Sequence, residues 1–187
     1  MPQNTKVRGC HVILNSMYAS SAQTRKTPGL KTGRFVVHEH HARNLHFDVR
    51  LEIDGVLKSW AVPKGPSLRP GEKRLAVAVP DHALGYIDFE GEIAEGGYGA
   101  GQVRIWDQGT FESKADLSMQ FAKGKLDITF HGYTLRGKFA LVKIHGQEKN
   151  WLLIKADDEF ADSDWELGTV IKVEKKPGAV RAAGRKK

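Results

Sequence analysis

Leu45-His46-Phe47-Asp48-Val49-Arg50-Leu51-Glu52-Ile53-Asp54-Gly55 alternates apolar and polar residues without a break for nine positions and then meets a turn dipeptide. Successive side chains of a strand point to opposite faces, so Leu45, Phe47, Val49, Leu51 and Ile53 share one side and His46, Asp48, Arg50 and Glu52 the other. Asp54-Gly55 suits a tight hairpin turn, and Val56–Val62 reads as the return strand.

Outward from this hairpin the signal stays β. Arg34–Val37, Arg74–Val79, Gln102–Trp106, Thr110–Ser113, Lys125–His131, Lys138–Ile144 and Trp151–Lys155 read as further short strands. Asp107-Gln108-Gly109, His131-Gly132-Tyr133 and Gly146-Gln147 supply turn chemistry between several of them. Asp116–Lys123 reads as a helix with Leu117, Phe121 and Met119 on its buried side. About nine short strands joined by tight turns predict a mainly β fold, a single compact antiparallel barrel with one or two short helices, and not a βαβ sheet.

The chain has 187 residues, 40% of them hydrophobic and 27% charged, which are ordinary globular values and exclude a wholly disordered or fibrous protein. No stretch approaches the roughly 18 apolar residues of a membrane helix. The run Val12-Ile13-Leu14 is far shorter than the roughly 7–15 residues of a signal-peptide core. One cysteine, Cys10, allows no internal disulfide and fits a reducing cytoplasm. It has no activating neighbour beyond His11 and receives no role.

Charge is unevenly divided. Residues 1–33 carry five cations and no acid, and residues 172–187 carry seven cations against Glu174. The total of +7 therefore leaves residues 34–171 at about −4. The expected organisation is a basic arm over 1–33, a barrel over 34–171 and a basic tail over 172–187. Basic extensions on a compact body attract polyanions, nucleic acid above all, although they also serve as solubilising ends.

His46 and Asp48 lie two residues apart on one strand face, close enough to converge on an ion. A histidine from the upstream group His38, His40 and His41 would complete a set of two imidazoles and a carboxylate, which leaves coordination positions open for water and substrate. The competing reading makes these the wet face of a half-buried strand. Arg50, next on that face, suits an oxyanion held by the ion. His82 follows the Arg74–Val79 strand as a loop histidine able to act as acid, base or phosphate donor. Arg74 starts that strand, out of phase with Leu75, Val77 and Val79. Gly96–Gly101 fails as a phosphate loop because no Gly-Lys-Ser/Thr follows, so a glycine-rich hairpin or barrel corner is expected. Trp60, Trp106, Trp151 and Trp165 suit a core better than base stacking. A cupin is excluded because no acid follows His38-Glu39-His40 in range. An iron(II) oxygenase using His46, Asp48 and either His131 or His145 is compatible with the spacing.

Val37-His38-Glu39-His40-His41-Ala42-Arg43-Asn44-Leu45-His46-Phe47-Asp48-Val49-Arg50-Leu51-Glu52 resembles the signature of the 3′-phosphoesterase module of bacterial DNA ligase D, a family with stand-alone members in bacteria and archaea. The likeness continues through Leu57–Ser67, Lys73–Val77, Asp81-His82, Tyr86, Phe89-Glu90-Gly91, Tyr98–Gly101 and Trp151–Lys155. It implies a small β-barrel enzyme of DNA repair and end joining, dependent on manganese, with cobalt or zinc as other suitable ions. Such an enzyme removes a 3′-terminal ribonucleoside from a primer and then hydrolyses the remaining 3′-phosphate. The resemblance selects His40, His46 and Asp48 as metal ligands and sets Arg50, Arg74, His82 and Tyr86 at the phosphate, with Arg50, Arg74 and His82 catalytic. It implies primer–template 3′ ends as partner, no membrane, a cytoplasmic, nucleoid-associated setting, and an end-joining ligase or polymerase on separate polypeptides.

One departure stands out. The ligase-fused members have a Lys-Arg-Asp-Phe element and a Thr-x-Glu-Pro, whose Arg and Asp assist the phosphate site. Here the stretch reads Gln23-Thr24-Arg25-Lys26-Thr27-Pro28, without an acid, so the phosphomonoesterase step is expected to be the weaker. A non-catalytic barrel that binds nucleic-acid ends is the alternative from another class.

Overall fold

Strand pairing closes the molecule on itself. A computed structural model describes residues 30–94, 96 and 99–171. Its strands are β1 (Lys31–His41), β2 (Leu45–Ile53), β3 (Val56–Val62), β4 (Lys73–His82), β5 (Gly91–Ile93), β6 (Gly101–Ser113), β7 (Lys125–Gly132), β8 (Arg136–Lys143) and β9 (Asn150–Lys155). Neighbours run β1-β2-β3-β4-β9-β8-β7-β6, and β1 also pairs with β6, so eight antiparallel strands form a closed barrel with β5 added beside β6. Closure removes the open edges that an antiparallel sheet would otherwise expose. The basic arm up to residue 29, the tail from residue 172, Cys10, Gly97 and Tyr98 lie outside the described residues. No helix among those described is long and apolar enough to cross a membrane.

The β2–β3 hairpin turns at Asp54 (φ 53°) and Gly55 (φ 77°), with Ile53 paired to Val56. Two left-handed residues give the twist that joins antiparallel strands through a two-residue loop. Phe47, Val49, Leu51 and Ile53 are buried in the barrel with Phe35, Trp60, Phe111, Phe130 and Trp151. Leu45, expected with them, is 40% exposed; it is the first residue of β2, opposite the last residue of β1, and lies beyond the packed interior. The single α-helix, α1 (Leu117–Ala122), is capped by the Asp116 side chain, which accepts the Met119 N–H. Leu117 is buried and Phe121, one turn on, packs against Trp60 and Trp151. Met119 is 59% exposed, because two residues of helical advance carry it round to the far side.

Four sequence expectations are corrected. β1 is not the short Arg34–Val37 strand but an 11-residue one that runs through the histidines, because β2 and β6 bond it on both sides as far as His41. Gln102–Trp106 and Thr110–Ser113 are one strand, β6. At its centre the register with β1 slips, Val37 facing Asp107 and His38 facing Ile105, so that Trp106 is an extra residue. Asp107 therefore turns no corner. Its buried carboxylate instead accepts the N–H groups of Gln108, Tyr133 and Leu135 and shapes the β7–β8 turn. His82 is the last residue of β4, paired with Leu57, and not part of a loop. The polar side of β2 is not wet: Asp48 and Arg50 are 6% and 3% exposed. It is roofed by a 3₁₀ turn over Leu84–Asp88, whose Ile87 packs on Val36 and Leu57.

After β9 the chain returns over one end of the barrel. Trp165 and Leu167 pack on the core, and Trp106 Nε1 donates to Gly168 O at 2.8 Å. The carboxylate of Glu39, fully buried, accepts the N–H groups of Val170 and Ile171. Lys155 is also buried, its ammonium bonded to Asp158 and to the carbonyls of Ala156 and Lys138.

The pair of Lys155 and Asp158 yields a stability prediction. Burial alone would raise the Asp158 carboxyl, but hydrogen bonds from Lys155, Lys138 N–H and Phe160 N–H hold it below the ordinary range. Its contribution is therefore complete above roughly pH 4 and is lost as pH falls through the folded-state value. Asp158→Ala removes the partner of a buried ammonium and should cost about 3 kcal/mol in urea unfolding at pH 7. The gap from wild type should shrink in acid; a constant gap across pH would contradict this account.

Candidate metal centre

Antiparallel pairing of β1 with β2 sets His40 opposite His46 and His38 opposite Asp48. Because side chains alternate, all four project on the face away from the barrel core. One donor atom each from His40, His46 and Asp48 lies within 4.8 Å of the others. His40 Nδ1 is 3.6 Å from Asp48 Oδ2, and His46 Nε2 is 3.6 Å from Asp48 Oδ1. The other ring nitrogens rest on backbone carbonyls, His46 Nδ1 on Asn44 O at 3.0 Å and His40 Nε2 on Gly99 O at 2.8 Å. Two imidazoles and a carboxylate, with both rings steered from behind, suit a divalent transition ion that keeps open positions.

His41 points elsewhere and bonds Glu39. The structure thus separates the three upstream histidines: His40 joins the cluster, His41 belongs with Glu39, and His38 serves Arg50. His131 lies on β7 beside Glu112, with β6 and β1 between it and β2. Neither His131 nor His145 joins His46 and Asp48 among the described residues, so the oxygenase set does not assemble.

Arg50 ties the cluster to its surroundings. Its Nη2 donates to Asp48 Oδ2 at 2.9 Å, Nη1 to Ser59 Oγ at 3.0 Å and Nε to His38 Nδ1 at 3.2 Å. Nη1 is also 3.0 Å from His82 Nδ1, and the guanidinium carbon stands 5.0 Å from the centre of the Tyr86 ring. Tyr86 is carried by the 3₁₀ turn, stacks on Phe89 and lies 5.0 Å from the His82 ring. Arg50, His82 and Tyr86 therefore form one patch beside the three candidate ligands.

Arg74 does not join them. It shares the inward face of β4 with the fully buried Ala76, and its Nη2 pairs with Glu72 at 3.1 Å. A cavity of about 910 Å³ lies at the far end of β2, lined by Gly33, Ile53, Asp54 and Leu117, and includes none of the cluster.

The local charges are mutually consistent. Burial works to raise the Asp48 carboxyl, but the contact with the His40 ring and the charge of Arg50 hold it below its ordinary value, so it is a carboxylate at neutral pH. Burial, then the Arg50 cation, lowers His38 to about 4, and its neutral ring can accept the Arg50 proton. Burial raises the Tyr86 phenol and keeps it a donor. Sequence reasoning missed His38 and Ser59 as partners of Arg50, and the carbonyls of Asn44 and Gly99. Backbone acceptors carry no residue-type signal, and His38 resembled a third candidate ligand.

The family model of the DNA Ligase D 3′-phosphoesterase domain matches residues 38–143. The chain is similar to the multifunctional non-homologous end joining protein LigD of Pseudomonas aeruginosa, 46% identical over 158 residues, covering 78% of this chain and 19% of the relative. The protein of that name from Mycolicibacterium smegmatis is 41% identical over 157 residues, 76% of this chain and 20% of the relative. The multifunctional non-homologous end joining DNA repair protein LigD of Mycobacterium tuberculosis is 44% identical over 118 residues, 63% of this chain and 15% of the relative. The chain thus spans a fifth or less of the length of these relatives.

His82 should titrate below the ordinary 6.5, because burial and then the Arg50 charge disfavour its protonated form. The unfolded chain takes up this proton first, so the group disfavours the fold as pH falls below about 6.5. Arg50→Met should move the midpoint part of the way back, burial remaining. Ring-proton NMR shifts against pH in metal-free protein test this; an unmoved midpoint would mean that the guanidinium charge does not reach His82.

Proposed function

The chain belongs to the DNA ligase D 3′-phosphoesterase domain family, and on that premise we propose that it is a metal-dependent phosphoesterase, using manganese first among divalent ions, that repairs nucleic-acid 3′ ends. The observation that carries this reading is that three candidate metal ligands lie together on one outward face of the barrel, and that Asp48 among them bonds a buried arginine against which a histidine and a tyrosine are placed. The proposed reaction removes a 3′-terminal ribonucleoside and then hydrolyses the 3′-phosphate, in the cytoplasm, as part of DNA end joining with a ligase and polymerase as partners.

A divalent ion at His40, His46 and Asp48 would supply polarisation of a phosphoryl oxygen and a water of lowered pKa. The protein's own residues do the rest. Arg50 is fixed by Asp48, Ser59 and His38 and directs its remaining N–H capacity at the phosphoryl charge. The Tyr86 hydroxyl, kept protonated, donates to the same group. His82 has its Nδ1 2.9 Å from Pro80 O and 3.0 Å from Arg50 Nη1. Nδ1 thus faces one acceptor and one donor: the tautomer that bonds Pro80 O carries its proton on Nδ1, and the one that accepts from Arg50 carries it on Nε2. The second is proposed as the reactive form, with its proton available to the leaving oxygen. Arg74, which the family likeness places at the phosphate, is held by Glu72 and takes no part in this scheme.

A labelled primer–template ending in one 3′-ribonucleotide tests the reading. With manganese the primer should shorten by one nucleoside, and His46→Ala or EDTA should abolish the loss. Without the acidic element near residues 23–28, which lie outside the described residues, the 3′-phosphate product should persist before conversion to the 3′-hydroxyl. No shortening by metal-loaded protein would favour a barrel that only binds ends.

Glu39, the neighbour of His40 along β1, accepts the N–H of Ile171, and Ile171 is followed in sequence by the cationic stretch 172–187. This stretch is proposed to touch the nucleic-acid backbone. Deleting 172–187 should flatten the dependence of log affinity on log salt by about 0.9 for each duplex phosphate that the tail neutralises; an unchanged slope would make the tail only solubilising.

A further inference from the structure

The glycine-rich run 96–101 fits no phosphate-loop pattern, yet Gly99 within it reaches the candidate metal centre across 59 residues of sequence. We propose that Gly99 is a positioning residue of that centre: its carbonyl keeps the His40 proton on Nε2 and orients the ring so that Nδ1 stays bare for the ion. This rests on the metal-dependent reading above.

Three observations carry it. A carbonyl oxygen has no proton to give, so the 2.8 Å contact with His40 Nε2 requires an N–H there. A neutral imidazole has one such proton, which leaves the lone pair on Nδ1, the nitrogen 3.6 Å from Asp48 Oδ2. Gly99 itself has φ +78°, a backbone conformation that residues with a Cβ rarely adopt, and a Cβ at this position would stand 3.3 Å from His40 Cε1. The carbonyl can come this close to the ring because the residue lacks a side chain.

The contrast with His46 defines the role. Its Nδ1 is held by Asn44 O, part of the short connection between β1 and β2 and fixed whenever that hairpin forms. The His40 acceptor comes instead from the connection between β5 and β6. Ion affinity is thereby tied to the placement of a residue that is not itself a ligand, and removing an orienting acceptor of this kind typically weakens metal affinity by about 10- to 100-fold.

The test compares manganese binding, followed by the loss of the free-ion electron paramagnetic resonance signal, in wild type, Gly99→Ala and Gly96→Ala. Gly96 has φ +87°, and a Cβ on it would meet nothing within 4 Å, so its variant imposes the backbone strain without touching His40. Gly99→Ala should bind about 10- to 100-fold more weakly, and Gly96→Ala should match wild type. Equal affinity for Gly99→Ala, or equal weakening by both variants, would overturn the proposal. A second measurement needs neither metal nor variant: nitrogen-15 NMR of wild-type His40 should find the proton on Nε2 and protected from water exchange. A proton on Nδ1 would overturn the proposal as well. Failure of wild type to bind manganese would instead overturn the metal-dependent reading, while the NMR result would still decide the Gly99 contact.

Discussion

A buried carboxylate that must stay charged organises the candidate site. Asp48 is 6% exposed, and an unpaired carboxylate there would be costly enough to neutralise itself. Arg50 supplies the counter-charge from two residues along the same strand, but a buried guanidinium has five donors to satisfy. Ser59 on β3, His38 on β1 and His82 at the end of β4 engage three of them beside the one that Asp48 takes. One ionic requirement thus recruits four adjacent strands. It also leaves two imidazoles facing the remaining side of Asp48, the position of the proposed divalent ion.

The barrel pairs two environments on the same strands. Inward residues of β2 meet aromatic side chains from across the barrel, and outward Arg50 meets Tyr86 and the end of β4. Burial on both faces raises the value of every polar contact, since a lower effective dielectric strengthens a satisfied pair and penalises an unsatisfied one. Arg50 can therefore be held rigidly enough to present its charge in one direction. The same burial lowers His38 and His82 and raises Tyr86, so all three favour their neutral forms around the Arg50 cation.

Irregular segments are secured by a recurring device, a carboxylate that accepts backbone N–H groups from a distant part of the chain. Asp107 does this for the β7–β8 turn, Glu39 for the returning segment at Val170 and Ile171, and Asp158 for Lys138. Glu90 does the same for Ile105 in β6. Charge-assisted bonds of this kind are roughly twice as strong as neutral ones. They hold loops whose sequences have little apolar surface to bury. The site depends on such segments at both ends: the 3₁₀ turn brings Tyr86, and the β5–β6 connection brings the Gly99 carbonyl.

Local pattern was enough for much of this. The unbroken alternation of β2, the Asp54-Gly55 turn and the succession of short strands identify an antiparallel β fold, because a strand's period of two and a left-handed turn leave their marks in consecutive residues. His46, Asp48 and Arg50 were legible for the same reason, lying on one face of one strand. The choice of His40 and the inclusion of Tyr86 came only through family likeness, whereas His82 stood out on its own as a histidine following the Arg74–Val79 strand. Other features depend on relations between distant strands: the extension of β1 through its histidines, the continuity of β6 past Asp107, the burial of the polar face, and the separation of Arg74 from Arg50. Whether a polar residue is wet or buried is decided by what covers it, and whether Asp-Gln-Gly turns or continues is decided by the register of its neighbours. Neither cover nor register is written in the few residues nearby, so both became visible only once the barrel had closed.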